Sequence, residues 1–298
     1  MNPAANEPEH SVLVDLDRPI DLVRTMAHGR MGMGDPCLRV VDDSVWRATR
    51  TPDGVASQRL RVVGRGMIQV EAWGPGAEWL IARAPALCGA LDRPEAFQPE
   101  QPLLRDLVHA HPGLRIGRSE AIFETALFVT LEQKIATREA WRNWRLMVRS
   151  LGERAPGPLP ELWAPPLPTR VAATPYEVFH RFGIERRRAE TLRRLAVVAH
   201  RLEETVGLTL EAAYRRFQAI VGVGPWTAAR IAMLALGDGD AVFVGDLHLP
   251  HLVTQALAGE PRGSDERMME LLEPYRGHRA RVVRLLLAGR PAVSLWSR

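Results

Sequence analysis

The sequence predicts an α+β antiparallel-sheet domain at the N-terminus followed by an all-α domain, so that the chain is mostly helical overall. Three observations predict it. At 298 residues the chain exceeds one average domain. Its first hundred residues carry short apolar runs separated by turn signals, as the strands of a meander do. From Gln101 onward the apolar spacing turns helical. The expected division is residues 1–105, with a disordered tail at 1–9, and residues 106–298, which form two helical lobes.

Val12 to Leu16 reads as a strand, and Pro19 to Ala27 as a short helix with Asp17 near its start. Leu38 to Val41, Ser44 to Thr51, Val55 to Val63 and Met67 to Trp73 read as further strands. Pro52-Asp53-Gly54 is the hairpin turn between two of them. Gly74-Pro75-Gly76 breaks that pattern, and Trp79, Leu80, Ala84 and Leu87 mark a helix over Ala77 to Leu87. Glu120 to Ile135 carries an apolar stripe (Ile122, Phe123, Ala126, Leu127, Leu131, Ile135) that must be buried, with Ser119 at its start. Arg138 to Leu151 is a second amphipathic helix, and the proline-rich Ala155 to Thr169 reads as a surface loop. Thr174-Pro175-Tyr176-Glu177 offers a cap, a first-turn proline and an acid, which is how helices begin. Helices then succeed one another to Arg279–Leu287.

Composition narrows the function classes. A hydrophobic content of 46% with 25% charged residues is that of a globular protein. No apolar run reaches the roughly 18 residues needed to span a bilayer. The N-terminus is polar and acidic, unlike a signal peptide, so a cytoplasmic protein is expected. Cys37 and Cys88 are the only cysteines, too few for a four-cysteine iron–sulfur cluster or structural zinc, and they read as core residues. The net charge is +4, and Lys134 is the single lysine. Arginine suits phosphate recognition, although heavy arginine usage also follows from genome composition. The arginine-rich segment Arg181 to Arg201, with Arg186, Arg187, Arg188, Arg193 and Arg194, is either a solvated helix face or part of a DNA-facing surface.

The most informative stretch is Ile220-Val221-Gly222-Val223-Gly224-Pro225-Trp226-Thr227-Ala228. Two glycines flanking one apolar residue suit a tight turn closed to larger side chains. An apolar helix opens at Thr227 and another, Leu210 to Ile220, precedes the turn. Backbone N–H groups at such a helix start make a phosphate seat. Further on, Asp246 stands in an apolar loop among Val242, Phe243, Val244, Leu247 and Leu249. Its carboxylate can stabilise a developing positive charge, or can cap a helix starting at Leu247, and both roles can hold together. His248 and His251 lack a third metal ligand and are expected in structural or DNA-side roles.

The Gly-Val-Gly turn between helices, with Asp246 after it, resembles the helix-hairpin-helix DNA glycosylases, in particular the bacterial 3-methyladenine glycosylase II branch. Pro112-Gly-Leu-Arg115, Phe123-Glu124, Leu131-Glu-Gln133-Lys-Ile135, Arg187-Arg-Ala-Glu190-Thr-Leu192 and Pro274-Tyr-Arg276 are similar to that family's other landmarks, in order. The resemblance spans residues 110 to 290. It implies excision of a damaged base from double-stranded DNA in base excision repair, with alkylated bases as the default substrate and Asp246 as the catalytic group. It implies DNA contacts from Gly222, Val223, Gly224, Thr227 and Gln133, and a base pocket at Trp226, Arg230 and Arg284. No cofactor or metal is implied, save a monovalent cation held by the hairpin carbonyls. A nucleoid-associated monomer is expected.

Two departures qualify the resemblance. Lyase members carry a lysine nucleophile where this chain has Trp226, so a monofunctional enzyme is expected. Relatives place aromatic residues where this chain has Arg230 and the last-helix Arg279, Arg281 and Arg284. Those arginines suit a neutral or carbonyl-bearing lesion better than a cationic one. They also motivate a non-catalytic DNA- or lesion-binding protein as the alternative. Borohydride treatment with abasic DNA is expected to trap no covalent adduct, and an efficient adduct that depends on Lys134 would overturn the monofunctional reading.

Overall fold

A computed structural model describes residues 7–289. The expected tail at 1–9 lies outside the described residues for its first six positions, and Glu9 already accepts a hydrogen bond from Gly74 N at 2.7 Å.

Strands β1 (His10–Asp15), β2 (Leu38–Val41), β3 (Ser44–Thr51), β4 (Gly54–Gly64) and β5 (Met67–Trp73) form one antiparallel sheet ordered β1-β5-β4-β3-β2. The meander β2 to β5 pairs in sequence, and β1 adds to the free edge of β5. Helix α1 (Leu22–Met26) and helix α2 (Ala77–Leu87) cover one face over Leu38, Val45, Leu60, Ile68 and Val70. Helix α1 is shorter than expected and is capped by Asp21, which accepts Arg24 N at 2.9 Å, whereas Asp17 bonds back to Asp15.

The other face carries Trp46 and Trp73, stacked with ring centroids 5.4 Å apart. Exposing two indoles would be costly, and the segment expected as a surface loop covers them. It carries β7 (Trp163–Ala164), which pairs with β6 (Glu153–Arg154) just before it, and buries Leu162 against the tryptophans.

The helical part runs α3 (Pro102–Ala110), α4 (Ile122–Leu131), α5 (Thr137–Leu151), α6 (Pro168–Ala173), α7 (Tyr176–Arg181), α8 (Arg186–Val197), α9 (Ala199–Glu203), α10 (Leu210–Gln218), α11 (Pro225–Ile231), α12 (Leu249–Ala258), α13 (Asp265–Leu272) and α14 (Arg279–Ala288). Helix α3 packs on α14, so the expected boundary between residues 105 and 106 cuts through an element of the helical body. In α4 every residue except Glu124 is buried, more than the expected stripe, because α5, α8, α9 and α11 surround it. Its first N–H groups, at Ile122 and Phe123, bind the carboxylate of Glu203 on α9 at 3.0 and 2.8 Å rather than Ser119. Thr174 does not cap α7 either: its hydroxyl donates back to Arg170 O at 2.7 Å.

Two apolar cores result. One gathers α4, α5, α8 and α11, and the other gathers α3, α12, α13 and α14 with Met233 and Phe243. Tyr214, Trp226 and Leu234 pack against both, so α11 lies on the seam.

Buried polar groups tie the sheet to the helices. Asp35, 2% exposed, accepts Met31 N at 2.7 Å, Cys37 N at 2.9 Å and Trp144 Nε1 on α5 at 3.0 Å. Burial outweighs those three donors and pushes its carboxyl up to about 6 from 3.8. Between those values the folded chain binds more protons than the unfolded one, so this group's contribution to stability falls as pH rises through the window. The loss is on the order of 3 kcal/mol. Denaturant unfolding followed from pH 4 to 6.5 is expected to lose that component of its pH dependence in Asp35→Asn; an unchanged difference between pH 4 and pH 6.5 would refute it.

Candidate active site

The hairpin closes α10 and opens α11. Val223 N bonds Ile220 O at 2.9 Å, and Ala228 N bonds Gly224 O at 3.0 Å to begin the helix. Gly222 has φ 101, and a Cβ there would stand 2.1 Å from Thr191 Oγ1. Only glycine fits. Gly224 differs from the expectation, since its φ is −90 and a Cβ would meet nothing within 4 Å. Its lack of a side chain leaves open space before the helix N-terminus, where the first N–H groups have no acceptor behind them.

The side chains of the other residues expected at the DNA turn inward. Val223 is 5% and Thr227 3% exposed, so their side chains belong to the core. Gln133, just beyond α4, donates from Nε2 to Gly222 O at 3.0 Å and to Thr227 Oγ1 at 2.8 Å. Both amide protons therefore brace the hairpin. Arg194 donates to Val221 O at 3.4 Å and pairs with Glu190 at the same distance. Lys134 lies exposed beyond Gln133.

Asp246 is half-buried and meets the hairpin helix directly. Its Oδ2 accepts Trp226 Nε1 at 2.9 Å, and its Oδ1 accepts His248 N at 2.9 Å and Leu249 N at 3.0 Å. The capping role is thus real, but the helix it caps starts at Leu249, two residues later than expected. The apolar surroundings are only half there. Phe243 and Leu249 are buried, whereas Val244 and Leu247 are exposed, Leu247 at 75%. Oδ1 has both lone pairs occupied; Oδ2 has one accepted bond among the described residues and keeps a second lone pair.

One turn beyond Trp226, Arg230 forms an ion pair with Glu132 at 2.6 Å. Its guanidinium carbon lies 5.8 Å from the Trp226 ring centroid and 5.5 Å from that of Phe243. Trp226, Arg230 and Asp246 are therefore brought together. Arg284 is not with them. It is 3% exposed and donates to Arg115 O at 2.6 Å, Arg24 O at 3.0 Å and Thr25 O at 3.2 Å, a clamp between α14 and the sheet domain. Burial pushes this guanidinium down to about 10. Its place in a base pocket is corrected accordingly: a buried cation needs several fixed acceptors, and these lie at the domain junction.

Arg284 lines a cavity of about 60 Å³ at that junction, together with Asp35, Arg47, Glu124 and Leu234. His28 feels both Arg284 and Arg230; burial first, then those charges, hold its imidazole well below the usual range. His28 was not singled out by sequence reasoning, and Phe243 only as part of the apolar surroundings of Asp246. Glu132 was legible only as the residue beside Gln133, and its partner lies 98 positions away. His251 is structural, accepting Gly263 N at 3.0 Å. Cys37 and Cys88 are buried free thiols, and burial pushes Cys88 up to about 12. Among the described residues no group of three His, Cys, Asp or Glu side chains could hold a metal ion, and no helix is long and apolar enough to cross a membrane.

No protein-family model matches the chain, and no curated protein matches it. Solved structures do. A 3-methyladenine DNA glycosylase from Archaeoglobus fulgidus superposes with a TM-score of 0.81 at 21% identity, over 93% of this chain and 97% of that one. A Clostridium acetobutylicum 8-oxoguanine glycosylase/lyase, solved with DNA carrying cytosine opposite 8-oxoguanine, gives 0.72 at 14% identity over 94% and 95%. The Schizosaccharomyces pombe 3-methyladenine DNA glycosylase, solved with abasic DNA, gives 0.55 at 17% identity over 65% and 94%. The chain thus has the fold of the helix-hairpin-helix DNA glycosylases, and the expected fold class is the one observed.

The two glycines should separate on substitution. Gly222→Ala is expected to lose at least about 2 kcal/mol, from the left-handed backbone and the contact with Thr191. Gly224→Ala should stay within about 0.5 kcal/mol of wild type. Thermal or urea unfolding of the pair decides; equal losses would contradict this geometry.

Proposed function

We propose that this chain is a monofunctional DNA glycosylase that hydrolyses the N-glycosidic bond of a damaged base in duplex DNA, the first step of base excision repair. One observation carries the reading: a single helix start joins the DNA grip to the chemistry. Trp226 follows the hairpin in the first turn of α11, and its indole N–H orients the carboxylate of Asp246.

The amides around Gly222 and Gly224 hold a backbone phosphate, drawing on the unpaired N–H groups of the helix start. The target nucleotide leaves the stack, because its glycosidic bond is out of reach within it. As that bond breaks, positive charge develops on the sugar, and the free lone pair of Asp246 Oδ2 faces it or accepts a proton from the attacking water. The cap from His248 and Leu249 N–H and the bond from Trp226 fix the carboxylate beforehand, so little reorganisation is needed. Trp226 has no amine with which to form a Schiff base, hence hydrolysis without strand cleavage. The 3-methyladenine glycosylases of like fold make alkylated bases the default substrate class, and Arg230 beside the indole favours neutral lesions over cationic ones.

The protein acts as a cytoplasmic, nucleoid-associated monomer and needs no cofactor or iron–sulfur cluster. A monovalent cation would share the carbonyls of Ile220, Val221 and Gly222, which already accept Val223 N, Arg194 and Gln133.

Asp246→Asn is expected to lower single-turnover base release by at least about 100-fold while keeping its affinity for abasic DNA. Gly224→Ala, by filling the space before the amides, should weaken DNA binding whatever the lesion. Unchanged release in Asp246→Asn, or no release by wild type from any damaged duplex despite tight binding, would favour the non-catalytic binder.

A further inference from the structure

Four side chains in contact around α11 carry an inference about which base the site takes. Trp226 and Arg230 lie four residues apart, hence on one face of the helix. Arg230 sits 5.8 Å from the indole centroid and 5.5 Å from the Phe243 ring, with Glu132 at 2.6 Å holding it there. Arg230 and Glu132 side chains are 13% and 18% exposed, so the pair is largely out of water. Arg230 Nε is buried and has no hydrogen-bond partner.

We propose that the Arg230–Glu132 pair makes this pocket select a neutral base bearing a carbonyl acceptor and discriminate against cationic alkylated bases. The inference rests on the reading of the chain as a base-excising glycosylase. Two effects point the same way. The aromatic faces of Trp226 and Phe243 that would attract a cationic base already carry the protein's own cation, so a charged base must displace Arg230 from Glu132 or lie beside a like charge. The guanidinium also has donors beyond the one that Glu132 accepts, and a carbonyl oxygen of the base can accept from them. A site built around such a donor rejects ligands that lack the acceptor.

Four duplexes separate charge from hydrogen bonding. Hypoxanthine is neutral with a carbonyl, ethenoadenine is neutral without one, 7-methylguanine is cationic with one, and 3-methyladenine is cationic without one. Single-turnover release by wild type is expected to be fastest for hypoxanthine and slowest for 3-methyladenine, at least about tenfold apart. The double variant Arg230→Met/Glu132→Met removes both charges without leaving either buried and unpaired. It should cut hypoxanthine release about tenfold and raise release of the two cationic bases, narrowing or inverting the order. Its thermal stability and its affinity for abasic DNA report that it remains folded.

Faster wild-type release of either cationic base than of hypoxanthine would overturn the inference alone, and so would an equal change for all four bases in a folded double variant. A double variant that does not fold would overturn it as well, since the pair would then be structural. No release of any base by wild type would remove the glycosylase reading and this inference with it.

Discussion

The structure turns on α11 lying across the seam between two apolar cores. Ala228, Ile231 and Ala232 enter one core and Ala229 and Met233 the other, while Trp226 packs against both. A helix gripped on two sides cannot rotate, so the direction of its first turn and the place of its tryptophan are set together. The indole N–H then finds Asp246, which arrives on the loop before α12. Gln133 completes the arrangement from α4 by holding both the hairpin carbonyl of Gly222 and the hydroxyl of Thr227. The glycine hairpin, the aromatic ring and the carboxylate therefore share one rigid origin, as the proposed alignment of a sugar against Asp246 requires.

A second constraint is the use of arginine. Arg284 spends its donors on three main-chain carbonyls at the junction of sheet and helices, and Arg188 donates to Leu131 O at the end of α4. Arg281 pairs with Asp92 in the same region. A planar five-donor head can satisfy several scattered acceptors at once, as lysine cannot. Only part of the chain's positive charge is thus available to a nucleic acid, and sequence totals overstate it.

Much of the fold was legible locally. The strands Leu38–Val41, Ser44–Thr51 and Met67–Trp73 and the helix Ala77–Leu87 follow from alternation, helical spacing and turn residues, which act within a few positions. Where reading failed, a distant partner had won. The proline-rich segment after α5 became a cover for Trp46 and Trp73, and Glu203 replaced Ser119 at the start of α4. Thr174 turned back to Arg170 although its neighbours spell a cap.

The sequence by itself determined the fold class and the glycine hairpin, which depend on periodicity and on residue types at short spacing, and the family resemblance made Asp246 and Trp226 candidates. Tertiary structure alone decided that the two are hydrogen-bonded, that Arg230 faces Glu132, and that Arg284 serves the domain junction. Those pairings join positions far apart in the chain, and no local pattern fixes which acceptor a buried donor will meet.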